Sequence, residues 1–128
     1  MAVVQSACHH SDVTTVLIVD DHPSFRATAR ALLQAEGFDV VGEAENGVAA
    51  LRSAKELHPD VVLLDVQLPD FDGFEVATRL TGNGAGPLVV LTSSRDGSDF
   101  GPLVHQSGAR GFVPKAELSG AALKAVLG

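Results

Sequence analysis

The chain has 128 residues, which suits one domain with one good core. Apolar residues make up 45% and charged residues 20%, the balance of a folded soluble protein rather than a disordered one. A net charge of -7 leaves no basic stripe for phosphate backbones or anionic headgroups, so this chain alone is expected to bind neither nucleic acid nor membrane. The single cysteine, Cys8, excludes an internal disulfide. No apolar run approaches the roughly 20 residues that span a bilayer, and the first ten residues lack the basic start of a signal peptide. A cytoplasmic protein is expected.

Residues 1–12 form a polar arm, and one domain is expected over 13–128, with no DNA-binding domain in the chain. The β-branched run TTVLIVDD reads as a strand. HPSFRATARALLQAEG follows it with Phe25, Ala29, Leu32 and Leu33 at helical spacing and Gly37 as a stop. FDVVGEA is a second strand. NGVAALRSAKELHPD is a second helix, with Val48, Leu51 and Leu57 expected inward and Pro59 beyond its end. VVLLD is a third strand, GFEVATRL a third helix and PLVVLTSS a fourth strand. DFGPLVHQSG is a weak helix, because Gly101 and Pro102 interrupt Asp99 to Ser107, and a truncated fourth helix is expected. RGFVPK is a short fifth strand and SGAALKAVLG a final helix.

Alternating strands and helices predict an α/β fold, a doubly wound five-stranded parallel sheet with helices on both faces. In the order 2-1-3-4-5 a site forms beyond the carboxyl ends of strands 1 and 3, where the strand order reverses. Asp20 and Asp21 end strand 1, Asp65 ends strand 3, Thr92 and Ser93 end strand 4, and Lys115 follows strand 5. Three converging carboxylates repel one another unless a cation neutralises them. Their all-oxygen donor set suits Mg²⁺.

Several of these residues also carry plainer readings. Taken alone, DDHP is a helix cap, with Asp21 or Ser24 accepting amide bonds and Pro23 in the first turn. Asp70, Asp72 and Gly73 read as loop and cap residues. His9, His10, His22, His58 and His105 match no metal spacing and read as surface residues. The glycine cluster GNGAGP precedes a strand instead of joining strand to helix, so it is a connector rather than a phosphate loop.

The motifs LIVDDHPSFR, VVLLDVQLPDFDGF, VVLTSS and GARGFVPK, in this order and spacing, make the chain from Thr14 to Gly128 resemble the receiver domain of bacterial two-component response regulators, a flavodoxin/CheY-like fold. VVGEAENG and the Lys115–Ala116 step are most similar to the NarL/LuxR type. The resemblance implies a phosphorylation-controlled signalling protein in which Asp65 accepts a phosphoryl group from a sensor histidine kinase, a phosphoacceptor rather than a turnover enzyme. It implies that Asp21 and Asp65 bind Mg²⁺ directly, Asp20 through water and Gln67 through its backbone carbonyl. Thr92 and Lys115 would meet the phosphoryl oxygens, small Ser93 would leave the donor an open approach, and Thr92 with Phe112 would form the switch. The face of helix 4, strand 5 and helix 5 would serve a homodimer or an effector. The alternative is a constitutive protein-interaction module of the same fold that does not use phosphotransfer; the intact set of Asp20, Asp21, Asp65, Thr92 and Lys115 favours the first reading.

Overall fold

The computed structural model describes residues 13–82, 84, 86–94 and 100–128; the expected arm and the start of the segment before helix 4 lie outside them. Five strands, β1 (Thr15–Val19), β2 (Asp39–Ala44), β3 (Val61–Asp65), β4 (Leu88–Ser93) and β5 (Gly111–Pro114), form one sheet in the order β2-β1-β3-β4-β5. Every neighbouring pair is parallel. The helices among the described residues are α1 (Pro23–Ala35), α2 (Gly47–Leu57), α3 (Gly73–Thr81), α4 (Leu103–Gln106) and α5 (Gly120–Leu127).

The period of two along each strand sorts the apolar side chains into two cores. Val16, Ile18, Val61, Leu63, Val90 and Val113 face one side, where Ala29 and Leu33 of α1 and Leu123 of α5 cover them. Leu17, Val19, Val62, Leu64, Val89 and Leu91 face the other side, against α2, α3 and Val104 of α4. Buried on both faces, the central strands need the continuous apolar runs that the sequence shows.

Capping fixes where the helices begin. Pro23 stands in the first turn of α1, and no side chain caps that helix, so the cap reading of Asp21 and Ser24 does not hold. Asp72 caps α3 by accepting the Glu75 amide at 2.8 Å. Asn46 caps α2 by accepting the Ala49 amide at 2.8 Å. Helix α4 has four residues, as its Gly101 and Pro102 predict.

The inward face of α2 differs from the expected one. Val48 and Leu57 are 50% and 43% exposed, whereas Gly47, Ala50 and Ala54 are buried and Leu51 is half-buried. A stripe of small residues lets the helix axis approach the sheet closely, and the large aliphatics fall to its flanks. Leu57 covers part of β2 there, since a Cβ at Gly42 would meet Leu57 Cδ1 at 2.7 Å.

Candidate phosphoacceptor site

Sheet register brings the predicted groups together. Val19 pairs with Leu64 and Asp65 with Thr92, so the first residue past β1, Asp20, lies beside the last residue of β3. Thr92 pairs with Val113, two positions before Lys115. Asp20 is wholly buried, Asp65 and Thr92 are buried, and Asp21 is exposed at the rim.

The Asp20 turn is closed by its own side chain. Asp20 Oδ1 accepts the His22 amide at 2.8 Å and lies 2.9 Å from His22 Nδ1. The same ring nitrogen is 3.1 Å from Asp21 Oδ1. Arg26 Nη1 donates to the Asp20 carbonyl at 2.6 Å. Glu43 of β2 accepts from Arg26 Nε at 3.0 Å and from Arg30 Nε at 2.7 Å, tying α1 to the sheet under the acidic turn.

Lys115 closes the pocket. Its ammonium stands 2.6 Å from Asp20 Oδ2 and 3.2 Å from Asp65 Oδ2. The contact to Asp20 is an ion pair without aligned hydrogen-bond geometry, and Asp20 Oδ2 is a buried oxygen with no hydrogen-bond partner. Asp65 Oδ1 accepts the Gln67 amide at 3.0 Å.

These partners push the two buried carboxyls in opposite directions. Burial raises Asp20, but Lys115 and the amide and ring of His22 outweigh it and hold the carboxyl below its ordinary range. Burial likewise raises Asp65; the Gln67 amide opposes it, the Asp20 charge adds to it and Lys115 opposes it, leaving the carboxyl above the usual range. Lys115 loses charge stability to burial, yet contact with Asp20 and the Asp65 charge leave its ammonium more basic than usual.

Asp20, Asp21, Asp65 and His22 each offer one ligand atom, all within 4.8 Å of one another. The three carboxylates, with Asp20 Oδ2 held by the Lys115 ion pair and no hydrogen bond, fit a small hard divalent cation. His22, read from the sequence as a surface residue, therefore joins the cluster, its Nδ1 2.9 Å from Asp20 Oδ1 and 3.1 Å from Asp21 Oδ1.

The loop after β3 is shaped around the same residue. Gly73 lies against it, since a Cβ there would come within 2.3 Å of the Asp65 carbonyl oxygen. The Gly73 amide donates to the Val66 carbonyl at 2.7 Å, and Gln67, with an exposed side chain, faces Asp72 in an isolated bridge. Asp70 reaches across to α2, accepting from the Gly47 and Val48 amides at 2.7 and 3.0 Å. It is a cap, as expected, but of the preceding helix.

Thr92 Oγ1 donates to the Val113 carbonyl at 2.6 Å, away from Asp65. Phe112, half-buried, meets Phe100 in a tilted pair at 5.5 Å between ring centroids, and Phe100 meets Phe74 of α3 edge-on at 5.5 Å.

The family model for the response regulator receiver domain matches residues 16–127. The chain belongs to this family. Among relatives of the receiver, the virulence-factor transcription regulator BvgA of Bordetella pertussis is 43% identical over 102 residues, 80% of this chain and 49% of that protein. Response regulator GacA of Pseudomonas aeruginosa is 39% identical over 101 residues, 78% of this chain and 47% of that protein. The signal receiver domain of a NarL response regulator from Mycobacterium tuberculosis superimposes with a TM-score of 0.79 at 37% identity, covering 91% of this chain and 98% of that one. This receiver therefore spans about half the length of the curated relatives it matches.

The motifs located Asp20, Asp21, Asp65, Thr92 and Lys115, all of which meet at the carboxyl end of the sheet. They missed His22, Phe25 and Arg26. The signal for His22 was its place two residues after Asp20, where an aspartate side chain commonly captures an amide.

Proposed function

We propose that this receiver takes a phosphoryl group from a phosphohistidine of a sensor histidine kinase onto Asp65. The observation that carries the reading is Lys115 held between two buried carboxylates, of which Asp65 alone also adjoins Thr92. An Asp65 oxygen forms the new O–P bond as the donor's N–P bond breaks, and the electron pair leaves with the imidazole. By the family resemblance, Asp21 and Asp65 would hold Mg²⁺ directly, Asp20 through water and Gln67 through its backbone carbonyl. When bound, Mg²⁺ draws negative charge from the transferring group. Lys115 pairs with a second phosphoryl oxygen, and buried, small Ser93 leaves the approach open. Each transfer consumes the acceptor until hydrolysis restores it, so the domain is a switch and not a turnover enzyme.

In the switch, Thr92 leaves the Val113 carbonyl for a phosphoryl oxygen. The freed β5 edge and Phe112, in contact with Phe100, then shift together. The face formed by α4, β5 and α5 is the output surface, for a second copy or a protein effector. The domain spans 13–128, DNA contact by this chain alone is not part of its role, and the setting is the cytoplasm. Among the described residues no helix is long and apolar enough to cross a membrane.

Incubation with acetyl phosphate and Mg²⁺ followed by intact mass measurement tests the assignment. One added phosphoryl group is expected, dependent on the divalent ion and absent in Asp65→Asn. Persistent single modification of Asp65→Asn refutes it.

A further inference from the structure

Lys115 has a third neighbour besides its two carboxylates. Its ammonium lies 4.6 Å from the centroid of the Phe25 ring on α1. A cation at that distance is attracted by the negative face of the ring. We propose that Phe25 is a positioning residue: it holds the Lys115 ammonium at Asp65 when a divalent cation takes over Asp20. The inference rests on the phosphoacceptor reading above.

The reasoning starts from competition. Lys115 makes its shortest contact, 2.6 Å, with Asp20 Oδ2, and its longer one, 3.2 Å, with Asp65 Oδ2. Both carboxylates belong to the cluster that fits the cation. A divalent ion arriving there claims the lone pairs that hold the ammonium and repels it as well. A lysine side chain on four rotatable carbons would then swing toward solvent and be lost to the phosphoryl oxygens. The ring face is the one neighbour of these three that a metal does not bind. It is also fixed in place, since Phe25 packs against the core that α1 covers, and the adjacent Arg26 is bonded to the Asp20 carbonyl and to Glu43.

The contact predicts a spectroscopic signature separate from activity. With the ammonium 4.6 Å from the ring centroid, protons on the Lys115 carbon next to it are expected to resonate upfield. That shift is expected to persist when Mg²⁺ is added, to vanish in Phe25→Leu and to remain in Phe25→Tyr. Replacement of Phe25 by mono-, di- and trifluorophenylalanine keeps the shape while draining the negative face. The rate of Asp65 phosphorylation from acetyl phosphate at saturating Mg²⁺ is expected to fall stepwise, by about five- to tenfold across the series, the range of a partly desolvated cation–π contact. A purely packing role would leave the fluorinated series flat, and a flat series overturns the proposal. Loss of the upfield shift on adding Mg²⁺ to the unsubstituted protein overturns it too. Failure of the unsubstituted protein to be phosphorylated would instead strike the phosphoacceptor reading, while the shift still decides whether the ring holds the ammonium.

Discussion

Replacing Lys115 by methionine keeps most of the unbranched side chain and removes its charge. Asp20 and Asp65 then face each other without the ammonium that stands 2.6 and 3.2 Å from them. The repulsion between the two carboxylates is present in the parent too, so what the variant loses is the ammonium's attraction for both of them. Breaking a buried pair by removing one partner costs about 3–5 kcal/mol. For a domain of this size each kcal/mol moves the melting temperature by roughly 4 °C, so Lys115→Met is expected to melt about 12 °C below the parent at neutral pH in EDTA. Thermal unfolding followed by circular dichroism reads the shift. Millimolar Mg²⁺ is expected to raise the variant's Tm more than the parent's, because the ion no longer competes with an ammonium for Asp20. The deficit also depends on pH. Asp65 has a folded pKa above its unfolded one, so its contribution is fully present below the unfolded value and is lost as pH rises through the folded value. Acidification protonates Asp65 in the variant and shrinks the deficit. A variant that melts with the parent in EDTA at neutral pH, or a deficit that grows on acidification, refutes the reasoning.

Thr92→Val removes the buried hydroxyl that donates to Val113 and is expected to cost about 1 kcal/mol. The same variant should no longer transmit beryllofluoride binding to β5 in amide exchange, and unchanged transmission would refute the Thr92 switch. Asp70→Ala is expected to lower Tm at neutral pH. Desolvation raises the Asp70 carboxyl, but the Gly47, Val48 and Phe71 amides outweigh it and leave it depressed, so its stabilisation is present above the unfolded pKa and lost as pH falls through the folded one. Melting curves of Asp70→Ala and the parent should therefore converge in acid. Gly73→Ala drives a Cβ toward the Asp65 carbonyl and is expected to destabilise by roughly 1–3 kcal/mol, read by urea unfolding, with a slower phosphorylation rate.

The fold was legible because its signals were local. VVLLD and LIV declare strands buried on both faces, and Gly101 with Pro102 declares the short α4. The face of α2 was not, because periodicity marks which residues are apolar and not how closely the helix approaches the sheet. Ala50 and Ala54 take the buried side through small size, a preference that hydrophobicity alone ranks below Val48 and Leu57. At the site, the motifs named Asp20, Asp21, Asp65, Thr92 and Lys115, which the sheet register and Lys115 bring together. The supporting contacts of Arg26 with Asp20, Glu43 with Arg26, and Asp70 with α2 join segments distant in sequence through ordinary surface-type side chains. Such residues carry no compositional mark.

The acid that ends VVLLD is tolerated because the fold supplies its counter-charge before any ligand arrives. Lys115 alone neutralises one of the three carboxylates of Asp20, Asp21 and Asp65, and two negative charges remain for a divalent cation to balance. The opposed shifts of Asp20 and Asp65 divide the labour further. Asp20, held below its ordinary range, stays ionised as a permanent anchor for whichever cation is present. Asp65, pushed above its range by burial, is the carboxylate whose charge the protein supports least. A cation at the cluster would favour its charged form, acting against the burial that raises it.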